Sequence, residues 1–242
     1  MNIQQPVQQA PQAAAEIKTG QNESFQHSWR VWTIFLVLCM LSFMASIDST
    51  IVTTSLPTVT REVGGAGQYV WIANSYLFAC TAPQPLYGQI ANIFGRRNPM
   101  FVAIALFTLG SGISGAASSV AMLIAGRTIQ GLGSGGLYVL SDIIICDLIP
   151  PRYRGPYISA VLSTAAIGTT IGPIIGGALA EVNWRWVFWI NLPVMGLGLT
   201  AIVVALNVQY QRSPTWLHAL ARVDLLGNAI FIPAMTSLYS LD

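Results

Sequence analysis

The chain has 242 residues, 53% of them apolar and only 8% charged, with a mean hydropathy of +0.59 and a formal net charge of +2. A soluble domain carries about 25% charged residues, so this composition cannot cover a water-facing surface. So small a net charge also argues against a nucleic-acid partner.

Residues 1–29 are rich in Gln and Ala, contain Pro6 and Pro11, and hold few large apolar side chains. They are predicted to form a disordered cytosolic tail. No cleavable signal pattern precedes the first apolar run, which starts near Val31 and is expected to act as an uncleaved anchor. Apolar runs of spanning length follow at 31–52, 68–91, 99–118, 121–146, 156–180 and 187–207, against a requirement of about 20 residues. The second is the most polar, with Asn74, Pro83, Gln84 and Pro85, and is expected to face helices or a cavity rather than lipid. After a cytosolic loop at 211–224, a seventh run begins at Leu225 and reaches Asp242, about 17 residues and the lower limit for a span. The expectation is an all-α polytopic membrane protein: a six-helix bundle over 30–210 and a partial seventh helix, as though the chain ended inside a larger plan.

The basic residues orient these spans. With the N-terminus in the cytosol, Lys18, Arg30, Arg96, Arg97, Arg152, Arg154, Arg212 and Arg222 fall inside, and only Arg61 and Arg185 outside, a clear positive-inside bias. Trp71, Trp184 and Trp186 then lie near the outer boundary, and Trp29 and Trp32 near the inner one, as interfacial aromatics do. Three scattered cysteines, Cys39, Cys80 and Cys146, sit in apolar runs and read as packing residues, not as a disulfide framework or a zinc site. Only His27 and His218 are present, both outside the spans, with no metal spacing and no nucleophile constellation. An enzyme is therefore the weakest reading, and neither a metal nor a cofactor is expected.

Asp48, Arg127 and Asp142 fall within predicted helices, where charge is costly and marks a cavity, a pair or a proton path. Asp48 lies some six residues before the predicted outer end of the first span, and Arg127 a similar distance into the fourth. Both are thus placed about 9 Å below the outer surface. Equal depth allows an Asp48–Arg127 pair or a shared polar cavity; alternatively, backbone carbonyls or water satisfy each separately. On the cytosolic side, Gly88-Gln-Ile-Ala-Asn92-Ile-Phe-Gly95-Arg96-Arg97 forms the turn between the second and third spans. Its arginines can reach the carbonyls ending helix two or the carboxylate of Asp147, with Arg154 nearby, and so form a latch. They could equally hold topology and touch lipid phosphates. In the fifth span Gly168, Gly172 and Gly176 recur every four residues, beside Pro173 and Gly177, and form a nearly bare stripe for close helix packing.

Together these stretches resemble the N-terminal half of a major facilitator superfamily transporter. The loop at 88–97 is similar to the superfamily signature between helices two and three, with Asn92 where the family has aspartate. Arg127-Thr-Ile-Gln-Gly131-Leu-Gly133 resembles the fourth-helix motif whose arginine is implicated in proton coupling, and Ile167–Gly177 the fifth-helix motif of antiporters. Asp48-Ser-Thr-Ile-Val-Thr-Thr-Ser-Leu-Pro57, Trp184-Arg-Trp-Val-Phe-Trp-Ile-Asn-Leu-Pro193 and Asp224-x-x-Gly227 resemble the fourteen-span drug:proton antiporter branch, particularly its fungal multidrug and toxin exporters.

The resemblance implies two six-helix bundles rocking about a midplane site. It implies export of a small organic solute (a drug, toxin or secondary metabolite) driven by the proton gradient without a cofactor. Asp48 and Arg127 would be the proton-responsive pair, with Asp142 in the cavity. Gly88, Asn92, Gly95, Arg96, Arg97, Asp147 and Arg154 would form the latch. Gly168, Gly172, Pro173, Gly176 and Gly177 would pack against the opposite half. The expected setting is the plasma membrane, or else the vacuolar membrane, with the bilayer, the solute and a second copy or missing C-terminal half as partners. Two alternatives stand beside export: a truncated membrane protein that does not transport, and a nutrient or siderophore carrier of the same superfamily.

Overall fold

A computed structural model describes residues 29–64 and 66–205. The predicted tail up to residue 28, the 211–224 loop and the seventh span lie outside the described residues. The elements are α1 (Trp29–Val63), a 3-10 turn (Ala66–Gln68), α2 (Tyr69–Thr81), α3 (Gln84–Phe94), α4 (Arg97–Gly115), α5 (Val120–Leu148), a second 3-10 turn (Pro151–Tyr153), α6 (Arg154–Asn183), α7 (Trp186–Trp189) and α8 (Asn191–Ala205). All regular structure among the described residues is helical, as lipid demands of a chain that must satisfy its own backbone.

Three of the predicted spans match single helices closely; three do not. The first span continues far beyond residue 52, because Ser, Thr and Pro57 do not stop α1. Ser55 and Thr60 return their hydroxyls to carbonyls of the preceding turn. Pro57 has no N–H for the Thr53 carbonyl, and the Tyr69 hydroxyl donates to that oxygen instead at 3.4 Å. The second span is broken between α2 and α3, with Pro83 as the N-cap and Pro85 in the first turn of α3. The sixth is broken at Ile190, between α7 and α8. Five helical segments among the described residues are long and apolar enough to cross a membrane: 29–63, 97–115, 120–148, 151–183 and 186–204.

Glycine seams draw these helices together. In the α4–α5 hairpin, a Cβ on Gly126 would meet Ser114, and one on Gly133 would meet the backbone of Ala103 and Phe107. Gly131 and Gly135 bring α5 equally close to the carbonyls of Tyr76 and Cys80 on α2. The third seam, α1 against α6, corrects an expectation. Gly168 abuts the Phe43 carbonyl, Gly172 abuts Thr50 and Ile47, and Gly176 abuts Ile51 and Thr54. The small-residue stripe is therefore consumed inside this bundle rather than presented to an opposite half. Of the four glycines singled out in this helix, only Gly177, one residue off the seam, faces open space. Large apolar side chains on the outside, among them Ile174, Val182, Leu197 and Val204, leave α6 and α8 with a surface suited to lipid.

The aromatic girdle also needs one correction. Trp29, Trp32, Trp71 and Trp186 are exposed, but Trp184 is buried and donates its indole N–H to Glu62 at 2.8 Å. Arg185 lies over the Trp184 ring and donates to the carbonyls of Gly115 and Ala117, which end α4. The packing of the chain thus outcompetes the interface for this tryptophan.

Candidate functional site

The middle of the bundle holds a closed polar cluster. Asp48 (0% exposed) and Arg127 (1%) meet at 2.7 Å, Nη1 donating to Oδ2. Two uncharged side chains complete the site. Gln130, one turn after Arg127 on α5, accepts from Arg127 Nη1 at 2.8 Å and donates to Asp48 Oδ1 at 2.8 Å. Asn191, at the start of α8, donates to the same Oδ1 at 2.6 Å and to Ser111 Oγ of α4 at 3.0 Å. Ser111 in turn donates to the Phe188 carbonyl at 2.7 Å, closing the connection to α7.

Arg127 is also held by its flat face. Its guanidinium carbon stands 3.9 Å from the Tyr76 ring centroid and 5.9 Å from that of Phe188, and its Nε has no hydrogen-bond partner. Tyr76 is itself fixed, donating to Ser134 Oγ at 2.8 Å. One negative charge is thus surrounded by a cation and two amide donors, with aromatic faces in place of water. Such a pair is strongly interdependent, because removing either charge strands the other in a low-dielectric interior.

The first helix ends later than its apolar run predicts. Val63 lies about 22 Å of helix beyond Asp48, not a turn and a half. Asp142 is not in this cluster: it lies about 22 Å along α5 from Arg127, with its side chain exposed. Gln130, Asn191, Ser111 and Tyr76 join the site without being singled out by the sequence. Gln130 lies within the quoted Arg127–Gly133 motif and Asn191 within Trp184–Pro193, so an uncharged polar residue inside an apolar motif was the available signal.

A second constellation lies at the Arg96 end. Gly95 takes φ 79°, a conformation glycine adopts without strain, and ends α3 so that the chain can turn into α4. Arg96 Nε then donates to Asp147 Oδ2 at 2.6 Å and Nη1 to the Ala91 carbonyl at 2.8 Å. The other two arginines turn to carbonyls rather than to Asp147. Arg97 donates to Val203 at 3.4 Å and lies over the Phe101 ring, and Arg154 Nε donates to Ile149 at 2.9 Å. Gly88 stands in open space, while Asn92 is exposed beside the turn. Among the described residues no group of three or more His, Cys, Asp or Glu side chains is arranged to hold a metal.

The family profile "Major Facilitator Superfamily" matches residues 38–239. The chain is 56% identical over 210 residues to a protein named MFS efflux transporter aclA from Aspergillus oryzae, covering 86% of this chain and 38% of that protein. It is 39% identical over 235 residues to MFS-type efflux pump LUC4 from a Fusarium species, covering 94% and 42% respectively. The chain thus spans about two fifths of the length of the curated relatives it matches. Among solved structures, a peptide transporter aligns with TM-score 0.67 at 20% identity, over 90% of this chain and 47% of that one. A D-xylose-proton symporter aligns with TM-score 0.63, also at 20% identity, over 88% and 53%. At that identity the structures speak for the fold alone. With a sequence profile over most of its length and spanning helices to match, the chain is an integral membrane protein that belongs to the Major Facilitator Superfamily.

Proposed function

We propose that this chain provides the N-terminal bundle of a proton-coupled exporter of small organic solutes. The observation that carries the reading is the buried Asp48–Arg127 pair, sealed by Gln130 and Asn191. An ionised carboxylate beside a guanidinium is stabilised by it; a proton arriving on Asp48 removes that attraction and alters the balance between two packings of the bundle. The direction, outward, is supported by the names of the efflux relatives. No cofactor enters: the energy source is the proton gradient. The Arg96–Asp147 pair serves as a latch at the end assigned to the cytosol, with the Trp184 end outside. Asp142 stands as a separate exposed carboxylate towards the cytosolic side, open to the solute path. The plasma membrane is the setting that fits export, and the bilayer and the solute are the partners.

The test is transport in proteoliposomes with rhodamine 6G inside and an imposed pH gradient. Efflux should depend on the gradient and disappear in Arg127→Ala and Asp48→Asn. Efflux that ignores the gradient, or survives both substitutions, refutes the coupling. No gradient-dependent movement at all refutes export.

A further inference from the structure

We propose that Asn191 is the positioning residue that reads the proton on Asp48 and passes its presence to the α7 turn, a role that rests on the proton-coupled reading above. Three donors converge on the carboxylate: Arg127 Nη1 on Oδ2, with Gln130 Nε2 and Asn191 Nδ2 both on Oδ1. Every hydrogen in these contacts belongs to a neighbour. A protonated Asp48 has an O–H of its own to donate, and a guanidinium can never accept it. Gln130 holds its amide oxygen on Arg127 at 2.8 Å, so turning Gln130 would sacrifice the arginine contact.

Asn191 is the side chain that can answer. A half-turn of its amide replaces the N–H facing Oδ1 with a carbonyl that accepts the new O–H. The same half-turn withdraws Nδ2 from Ser111 Oγ, now 3.0 Å away. Ser111 is the residue that donates to the Phe188 carbonyl at 2.7 Å, and chained hydrogen bonds strengthen one another. Protonation therefore loosens the tie between α4 and α7. That turn runs directly into Trp184 and Arg185, which fasten α1 and α4 at the far end of the bundle. Among the described residues, the other titratable groups facing Asp48 are Arg127 and Tyr138 on α5 and Tyr76 on α2. From α4 and α8, Ser111 and Asn191 meet this cluster, and neither titrates.

Amide hydrogen exchange of the protein in phosphatidylcholine nanodiscs reads the tie, because the amides of Val187, Phe188, Trp189 and Ile190 close the α7 turn. After correction for intrinsic rates, exchange at these amides should rise up to about tenfold as the pH falls, the scale of one lost hydrogen bond between neutral groups. Asp48→Asn, which offers Asn191 a donor in place of a carboxylate, should exchange fast at every pH. Asn191→Ala should give a flat pH profile. A merely structural Asn191 would give faster exchange with the wild-type pH dependence retained, and that result, or a flat wild-type profile, overturns the proposal. Should Asn191→Ala not fold, Ser111→Ala removes the tie to Phe188 and its link to Asn191 while leaving Asn191 beside Asp48, and should also flatten the profile; a retained response sinks the idea equally. No solute or gradient is involved, so the two readings fail separately. Transport lost with the profile intact counts against export, whereas transport present with a flat wild-type profile counts against the reader.

Discussion

At the scale of single residues, the bundle is organised by a charge it could not bury alone. Removing Arg127 leaves Asp48 unpaired at 0% exposure, and breaking such a buried pair costs about 3–5 kcal/mol. Arg127→Ala should therefore lower the thermal midpoint in detergent sharply. The double variant Asp48→Asn with Arg127→Gln should regain much of that loss, since no charge is then stranded. It should not regain all of it, because the stacking on Tyr76 at 3.9 Å goes with the guanidinium. Equal midpoints for the single and double variants would contradict this account. Asp48 and Arg127 were legible in the sequence because charge in an apolar run is rare and expensive. Gln130 and Asn191 were not, because an uncharged amide in a span has many ordinary uses. What singles them out is convergence on one carboxylate from residues separated by up to 143 positions, and sequence spacing carries no trace of that.

At the scale of elements, glycine decides which helices touch. A methyl group on Gly176 would come 2.5 Å from the Ile51 carbonyl, a backbone atom that cannot swing aside. On Gly177 it would meet nothing within 4 Å. Gly176→Ala should thus destabilise by about 1–3 kcal/mol through overpacking, while Gly177→Ala should stay within about 0.5 kcal/mol. Thermal unfolding of the two variants side by side checks this, and similar midpoints would remove the α1–α6 seam as a source of stability. The four-residue period revealed a close-packing stripe but not its partner. A stripe read from sequence is one surface of a contact, and the complementary surface is the hydroxyl-bearing face of α1, which carries no glycine signature of its own. Helix breaks followed a similar rule. Pro83 and Pro85 end one helix and start another, whereas Pro57 sits inside α1, where Tyr69, sixteen positions from Thr53, supplies the donor for the carbonyl left over.

At the scale of the whole molecule, the two polar constellations differ in burial, and therefore in what they can do. Asp48–Arg127 is sealed, so it decides whether the bundle holds together. Arg96–Asp147 is partly open, with side chains 22% and 49% exposed, and solvent screening leaves such a pair worth about 0–1 kcal/mol. That is too little to govern folding but is enough to change a balance between two conformations about fivefold. The latch proposed for this pair needs this scale: a stronger pair would never open. Reversing one charge, Arg96→Glu, sets two acids together at the turn between α3 and α4 and should bias the bundle towards an open Arg96 end. Cys146, half-buried and adjacent to Asp147, reports on that opening once Cys39 and Cys80 are replaced by serine. Its maleimide labelling rate should rise up to about fivefold in Arg96→Glu, with the thermal midpoint nearly unchanged. Adding Asp147→Arg restores the pair with its charges exchanged and should return most of the rate. A remainder should persist, because the bond from Arg96 to the Ala91 carbonyl is not restored by a glutamate. Labelling that ignores Arg96→Glu, or a double variant no slower than the single one, would reduce these residues to topology determinants.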